Sequence, residues 1–173
     1  MKAALLILFS AAATLIAGDV VLRDFPLPEI KGAIRIPEGW TTTAENEDGI
    51  FVYHFGKAGK SEVAPITLSV TTKVPERTEK SPSAYAAALV DTSQDDGPSA
   101  PVQKGEMCSL PSLRSEYDFD GDAGKRRAVN IAIPNDKTGT LYFFAWQFPK
   151  DEPLEFEAIR EKILAAVKFD PAF

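Results

Sequence analysis

One histidine and one cysteine set the ceiling on the chemistry available to this chain of 173 residues. His54 lies in the run Ile-Phe-Val-Tyr-His-Phe, residues 50–55. Zinc sites draw on several His or Cys ligands at defined spacing. A chain with one of each does not supply them, so no metal is expected. A Ser-His-Asp arrangement would have to use His54 as its base, and the sequence has no G-x-S-x-G elbow to carry a serine nucleophile. No catalytic residue is therefore assigned. On a strand His54 shares a side with Ile50 and Val52, which predicts a hydrogen-bonded core or rim histidine, with ligand contact as the alternative. Trp40, Tyr53 and His54 are the candidate ligand-binding residues, although aromatic side chains of this kind more often fill a core.

Cys108 has no partner for an internal bridge. Set among Met107, Ser109 and Leu110, it reads as a buried, inert thiol. Asp118-x-Asp120-x-Asp122 invites a calcium reading, since an EF-hand loop carries acidic residues at its first, third and fifth positions. The glycine such a loop needs next is Ala123, and its last ligand, a glutamate, is Val129. An acidic hairpin turn fits better. No P-loop or dinucleotide fingerprint is present, so no cofactor is expected.

Charge excludes further classes. Nineteen Lys and Arg face twenty-five Asp and Glu, a formal net charge of −6. An acidic chain without basic clusters is a poor ligand for nucleic acid or for an anionic membrane. The one basic run, Lys125-Arg126-Arg127, reads as a solvated strand end. The chain opens with Met1-Lys2 and an apolar stretch from Ala4 to small residues ending at Gly18, the layout of a secretory signal peptide. Asp19 stands where a lipobox needs cysteine. The expectation is a signal peptide over residues 1–18, export to the periplasm or the extracellular space, and no stable membrane anchor after cleavage. Residues 19–173 have the length of one domain.

The elements that must position these side chains are legible as patterns. Residues 141–148, LYFFAWQF, hold one polar side chain and predict a central strand covered on both faces. Residues 50–55 read as a second such strand. A helix is predicted over residues 154–169, with Phe156, Ile159, Ile163 and Val167 on one stripe beside Leu164, and Arg160 on the polar side. Residues 33–36 form a short strand. Residues 41–49 are polar and end in Asp48-Gly49, a hairpin signal. Residues 66–73 alternate, with Ile66, Leu68 and Val70 on one face. Ser81-Pro82 opens a helix, Ser as N-cap and Pro at its first position. Residues 93–105 read as a mobile surface loop. Residues 113–119, 127–133 and 141–148, joined by short turns, make an antiparallel meander.

In these elements the chain resembles the PsbP-like fold family, which takes in the extrinsic PsbP subunit of photosystem II, the Ran-binding Mog protein and many small exported bacterial proteins. The matching residues are Ile34-Arg35-Ile36-Pro37-Glu38-Gly39-Trp40, the Ser81-Pro82 helix, the 141–148 strand and the terminal helix closing on Phe169. The resemblance implies an α+β fold: an antiparallel sheet of about six strands with helices packed on both faces, an α/β/α sandwich. It carries over no catalytic residues. The functional expectation is a non-enzymatic exported binding or assembly module, with a protein or small-molecule partner. Its alternatives are a carrier of a hydrophobic small ligand and a hydrolase-like enzyme using His54.

Overall fold

The computed structural model describes residues 20–57, 66–92, 100–121, 124–151 and 154–173. The expected signal segment, the side chain of Phe156, and Asp122 and Ala123 of the acidic turn lie outside the described residues.

Where one sheet of about six strands was expected, the strands form two sheets. The larger has seven, in the order β3 (Trp40–Glu47), β4 (Ile50–Lys57), β5 (Ile66–Thr71), β9 (Thr140–Pro149), β8 (Gly124–Asn135), β7 (Leu110–Gly121) and β6 (Gln103–Met107). Every pairing in it is antiparallel. The smaller sheet has three strands, β1 (Leu22–Leu27), β2 (Gly32–Pro37) and β10 (Lys168–Phe169), also antiparallel. A 3₁₀ turn, Pro28–Ile30, joins its first two strands.

The strand at 141–148 is the middle of the seven, as its apolar run predicts. Tyr142, Phe144, Trp146 and Phe148 are all buried on one face. They meet Tyr53, Phe55, Leu68, Val70, Ile131 and Ile133 from neighbouring strands, and Leu27, Ile30, Ile34 and Ile36 from the small sheet. The other face departs from expectation. Leu141 is buried against Ala132 and helix α2 (Pro82–Thr92), but Phe143, Ala145 and Gln147 are only half-buried. The 50–55 strand is likewise interior, yet Val52 and His54 on its second face are half-exposed.

Helix α2 starts as its sequence dictates: the Ser81 hydroxyl accepts from the Ala84 amide at 3.2 Å. It is pinned a second time by Asp136 of the β8–β9 turn, which accepts from the Ser83 amide at 2.9 Å and the Ser83 hydroxyl at 2.7 Å. A carboxylate at a helix N-terminus also meets the positive end of the helix dipole. Pro82, Ala86 and Val90 are buried in α2, the last two against Ala132, Leu141 and Val74 of the short helix α1 (Val74–Thr78). The terminal helix α3 (Leu154–Ala165) stops earlier than expected. Ile163 and Leu164 join the main core, and the chain then extends so that Phe169 enters that core from β10.

Two segments read as polar or loop are strands, and a third strand, β1, lies where the sequence suggested no element, all for one reason. Residues 41–47 belong to strand β3, residues 103–107 to strand β6, and β1 carries Pro26 and two charges. All three are edge strands: β3 and β6 are mostly exposed, and the core-facing Leu22, Phe25 and Leu27 of β1 fall at uneven spacing, so no regular apolar alternation announces them.

Candidate functional site

Trp40, Tyr53 and His54 do not converge. Tyr53 and His54 are consecutive on β4 and so point to opposite faces. Tyr53 is buried on the core side, where its hydroxyl donates to Glu29 Oε2 at 3.0 Å. Burial first, and the bond to Glu29 second, push this phenol well above its ordinary range. Trp40 is half-buried at the start of β3 and packs on the same core. Its carbonyl accepts from the Arg23 guanidinium at 2.7 Å.

His54 faces the other way, and the strand register gives it a neighbourhood that no local sequence pattern could reveal. Directly opposed residues of antiparallel strands share a face. Reading across six strands, Thr43, His54, Thr67, Ala145, Asn130 and Ser115 stand in one row. The next row is Glu45, Val52, Ser69, Phe143, Ala132 and Leu113. Exposure falls along the first row. Thr43 is exposed, His54, Thr67 and Ala145 are half-buried, Asn130 is 5% exposed and Ser115 1%. The cause is α2, which packs on β7, β8 and β9. The surface is a shelf, open over β3–β5 and closed toward the helix, with small and polar side chains at its level. The His54 Nδ1 lies 3.2 Å from the Thr67 hydroxyl, which accounts for one ring nitrogen inside the protein.

This geometry limits His54 as a base. A nucleophile must sit within hydrogen-bond reach of it. Ser115 is four strand spacings away, about 19 Å at ~4.8 Å per spacing. The hydroxyl that His54 does contact belongs to Thr67, whose backbone is locked between β4 and β9.

The remaining candidates resolve individually. Asp118 of the acidic run is bound to Arg127 at 2.8 Å and to Lys150 at 2.7 Å. Hydrogen bonds from these two cations hold its carboxyl down at about 2. Among the described residues no group of three or more potential ligands is placed to hold a metal. The basic run is less solvated than expected: Arg127 is in that ion pair, and Arg126, half-buried, donates to the Gln147 carbonyl at 3.2 Å. Cys108 is half-buried, not buried, and donates to the Val167 carbonyl at 3.3 Å. Burial pushes its thiol above the ordinary value, which disfavours the nucleophilic thiolate. Arg160 is not on a purely solvated side either, since its guanidinium carbon lies 3.8 Å from the centroid of the Phe148 ring.

In the core, two donors on the central strand stand out. The Tyr142 hydroxyl and the Trp146 indole nitrogen are buried without a hydrogen-bond partner among the described residues. Buried polar groups are normally paired.

No family model and no curated relative matches the sequence. Solved structures do match, and they define the class: this is a PsbP-like fold. Cyanobacterial PsbP from Synechocystis sp. PCC 6803 superposes with a TM-score of 0.55 at 16% identity, over 94% of this chain and 99% of that one. LpqN of Mycobacterium tuberculosis, involved in cell envelope biogenesis, gives 0.53 at 12% identity, over 87% and 92%. The Ran-binding protein Mog1p of Saccharomyces cerevisiae gives 0.52 at 10% identity, over 87% and 96%. A Bacteroides thetaiotaomicron structure matches at 0.51 and 11% identity, and there 85% of this chain spans about half, 48%, of the other. At these identities the likeness is one of fold.

Proposed function

We propose that this protein is an exported, non-enzymatic binding module whose partner docks on the shelf around His54. The observation that carries the reading is the graded row Thr43–His54–Thr67, in which exposed Thr43 and half-exposed His54 and Thr67 lie on the sheet beside half-exposed Ile50 and Val52. A mixed polar and apolar surface on regular structure suits recognition. In this reading helices close both faces of the large sheet, and α2 leaves the β3–β5 side free for a partner. The apolar N-terminal stretch supports export to the periplasm or beyond.

The test places a photo-reactive amino acid at Val52 and, as control, at exposed Lys137 on the turn after β8, in the native host. A discrete cross-linked species from position 52, weakened by His54→Asp and missing from position 137, is the expected result. Equal cross-linking from both positions would sink the reading.

A second reading, a carrier of a hydrophobic ligand, draws on the unpaired Tyr142 hydroxyl and Trp146 indole nitrogen. A ligand with hydrogen-bond acceptors would satisfy them. Native mass spectrometry of the protein purified from its host, before and after solvent extraction, tests this: a co-purifying mass lost on extraction supports it, and the bare mass throughout refutes it.

A further inference from the structure

Among the described residues four strands of the two sheets, β1, β10, β6 and β3, have no strand on their outer side, and three of them are blunted. Strand β1 contains Pro26, which cannot donate to a ladder. Strand β10 has two residues. Strand β6 has five, carries Lys104 and follows Pro101. These are the ordinary devices against unwanted strand pairing. Strand β3 is the least defended, its only charges being Glu45 and Glu47. It runs for eight residues, WTTTAENE, with no proline and no Lys or Arg. Its register with β4 is unbroken from Trp40↔Lys57 to Glu47↔Ile50, so no bulge turns it away. Six of its eight residues are exposed, and no described strand pairs with its outer side. The Arg23 guanidinium takes the Trp40 carbonyl, which leaves the free edge running from Thr41 to Glu47.

We propose that β3 is a strand-addition site that takes an extended, basic peptide segment from the partner. The proposal rests on the reading of this protein as a binding module and names how part of that partner is held. The chemistry follows from the residues. An added strand gains its main-chain hydrogen bonds from the edge and its specificity from alternate side chains. On the His54 face the alternate residues are Thr41, Thr43, Glu45 and Glu47, followed by exposed Asp48 in the turn. Opposite charges directly across a strand pair attract, and like charges repel. Lysine or arginine at every second position of the incoming segment meets the two glutamates. A second copy of the chain fits worse. Pairing β3 with β3 of another copy in one continuous sheet puts all four glutamates on the same face, between two chains of net charge −6.

The probe is an eight-residue end-blocked peptide alternating lysine and threonine, added to the ¹⁵N-labelled protein. Its partners are the same peptide with glutamate for lysine and a version N-methylated at alternate amides. With the lysine peptide, the outward amides of β3 exchange at least about tenfold more slowly. Glu45→Lys with Glu47→Lys weakens binding about tenfold, equivalent to ~1.4 kcal/mol. Both positions are exposed, so the variant keeps its fold, which its amide spectrum verifies. In the wild type, 0.5 M salt weakens binding likewise, and N-methylation abolishes it. Shifts at Val52, His54 and Ser69 without protection of β3 overturn strand addition and leave the binding module standing. Equal binding of the glutamate peptide overturns the charge argument. Protection of β3 that grows with protein concentration alone identifies a second copy as the occupant and overturns the proposal, as does no response to the lysine peptide. Loss of the Val52 cross-link with peptide binding intact counts against the shelf and not against the edge.

Discussion

The rings of Tyr142 and Phe169 stack 4.0 Å apart and 12° from parallel. Tyr142 belongs to the centre of the large sheet and Phe169 to the last strand of the small one, so this pair bolts the two sheets together. Phe169 also lies 6.2 Å from the ring of Phe144. Removing it opens a cavity on the central strand. Phe169→Ala is expected to cost about 3–5 kcal/mol in urea melts, and Phe169→Leu clearly less. Equal costs would mean that apolar volume contributes little at this site and that the aromatic stack itself carries the loss.

The terminal helix offers an internal comparison. Ile163 is fully buried, and Ile163→Ala is expected to cost about 2–5 kcal/mol. Arg160→Ala loses the guanidinium over Phe148, an interaction of roughly 0.5–1 kcal/mol at a partly exposed site. Equilibrium urea unfolding of both variants checks the order. A larger loss for Arg160 than for Ile163 would place the buried face of α3 wrongly.

Asp118 makes a pH prediction. Its carboxyl is held at about 2 by Arg127 and Lys150, below the usual carboxylate value near 3.9. A depressed acid contributes stability that is fully present above its unfolded value and is lost as pH falls through its folded value. Wild type should therefore exceed Asp118→Asn by roughly 1 kcal/mol at pH 7, a figure kept small by solvent around the pair. The gap should close between about pH 4 and pH 2. Melts at pH 7, 4, 3 and 2 test this, and a gap that widens in acid would contradict it.

His54 and Thr67 should be coupled. The bond between the Nδ1 and the hydroxyl predicts an interaction of about 0.5–1.5 kcal/mol in a double-mutant cycle of His54→Ala and Thr67→Val. A coupling energy indistinguishable from zero would show that the ring is held by its apolar neighbours alone.

How far the sequence foretold this molecule depended on whether burial left a trace in it. The run at 141–148 could be read because a central strand is apolar nearly throughout. Ile66, Leu68 and Val70 could be read because one face of β5 is wet, and Ser81-Pro82 because a helix start is chemically local. Asp48-Gly49 turned the chain as expected, with both residues at positive φ. The edge strands β1, β3 and β6 left no such trace. Nor did the contacts between distant segments: Glu29 to Tyr53, Asp136 to Ser83, and the row that sets His54 beside Thr67. That row is a product of register between strands, and register is not written in any one of them.

The β6–β7 hairpin turns on Cys108 and Ser109, both left-handed at φ 54° and 61°. A two-residue turn of this kind favours asparagine followed by glycine, because a side chain there crowds the backbone. Cys108→Asn with Ser109→Gly should therefore fold at least as stably as wild type. It would also remove the only thiol in the chain. A spin label or fluorophore could then be attached through a cysteine placed at any chosen position, such as the outer edge of β3, and report from that position alone.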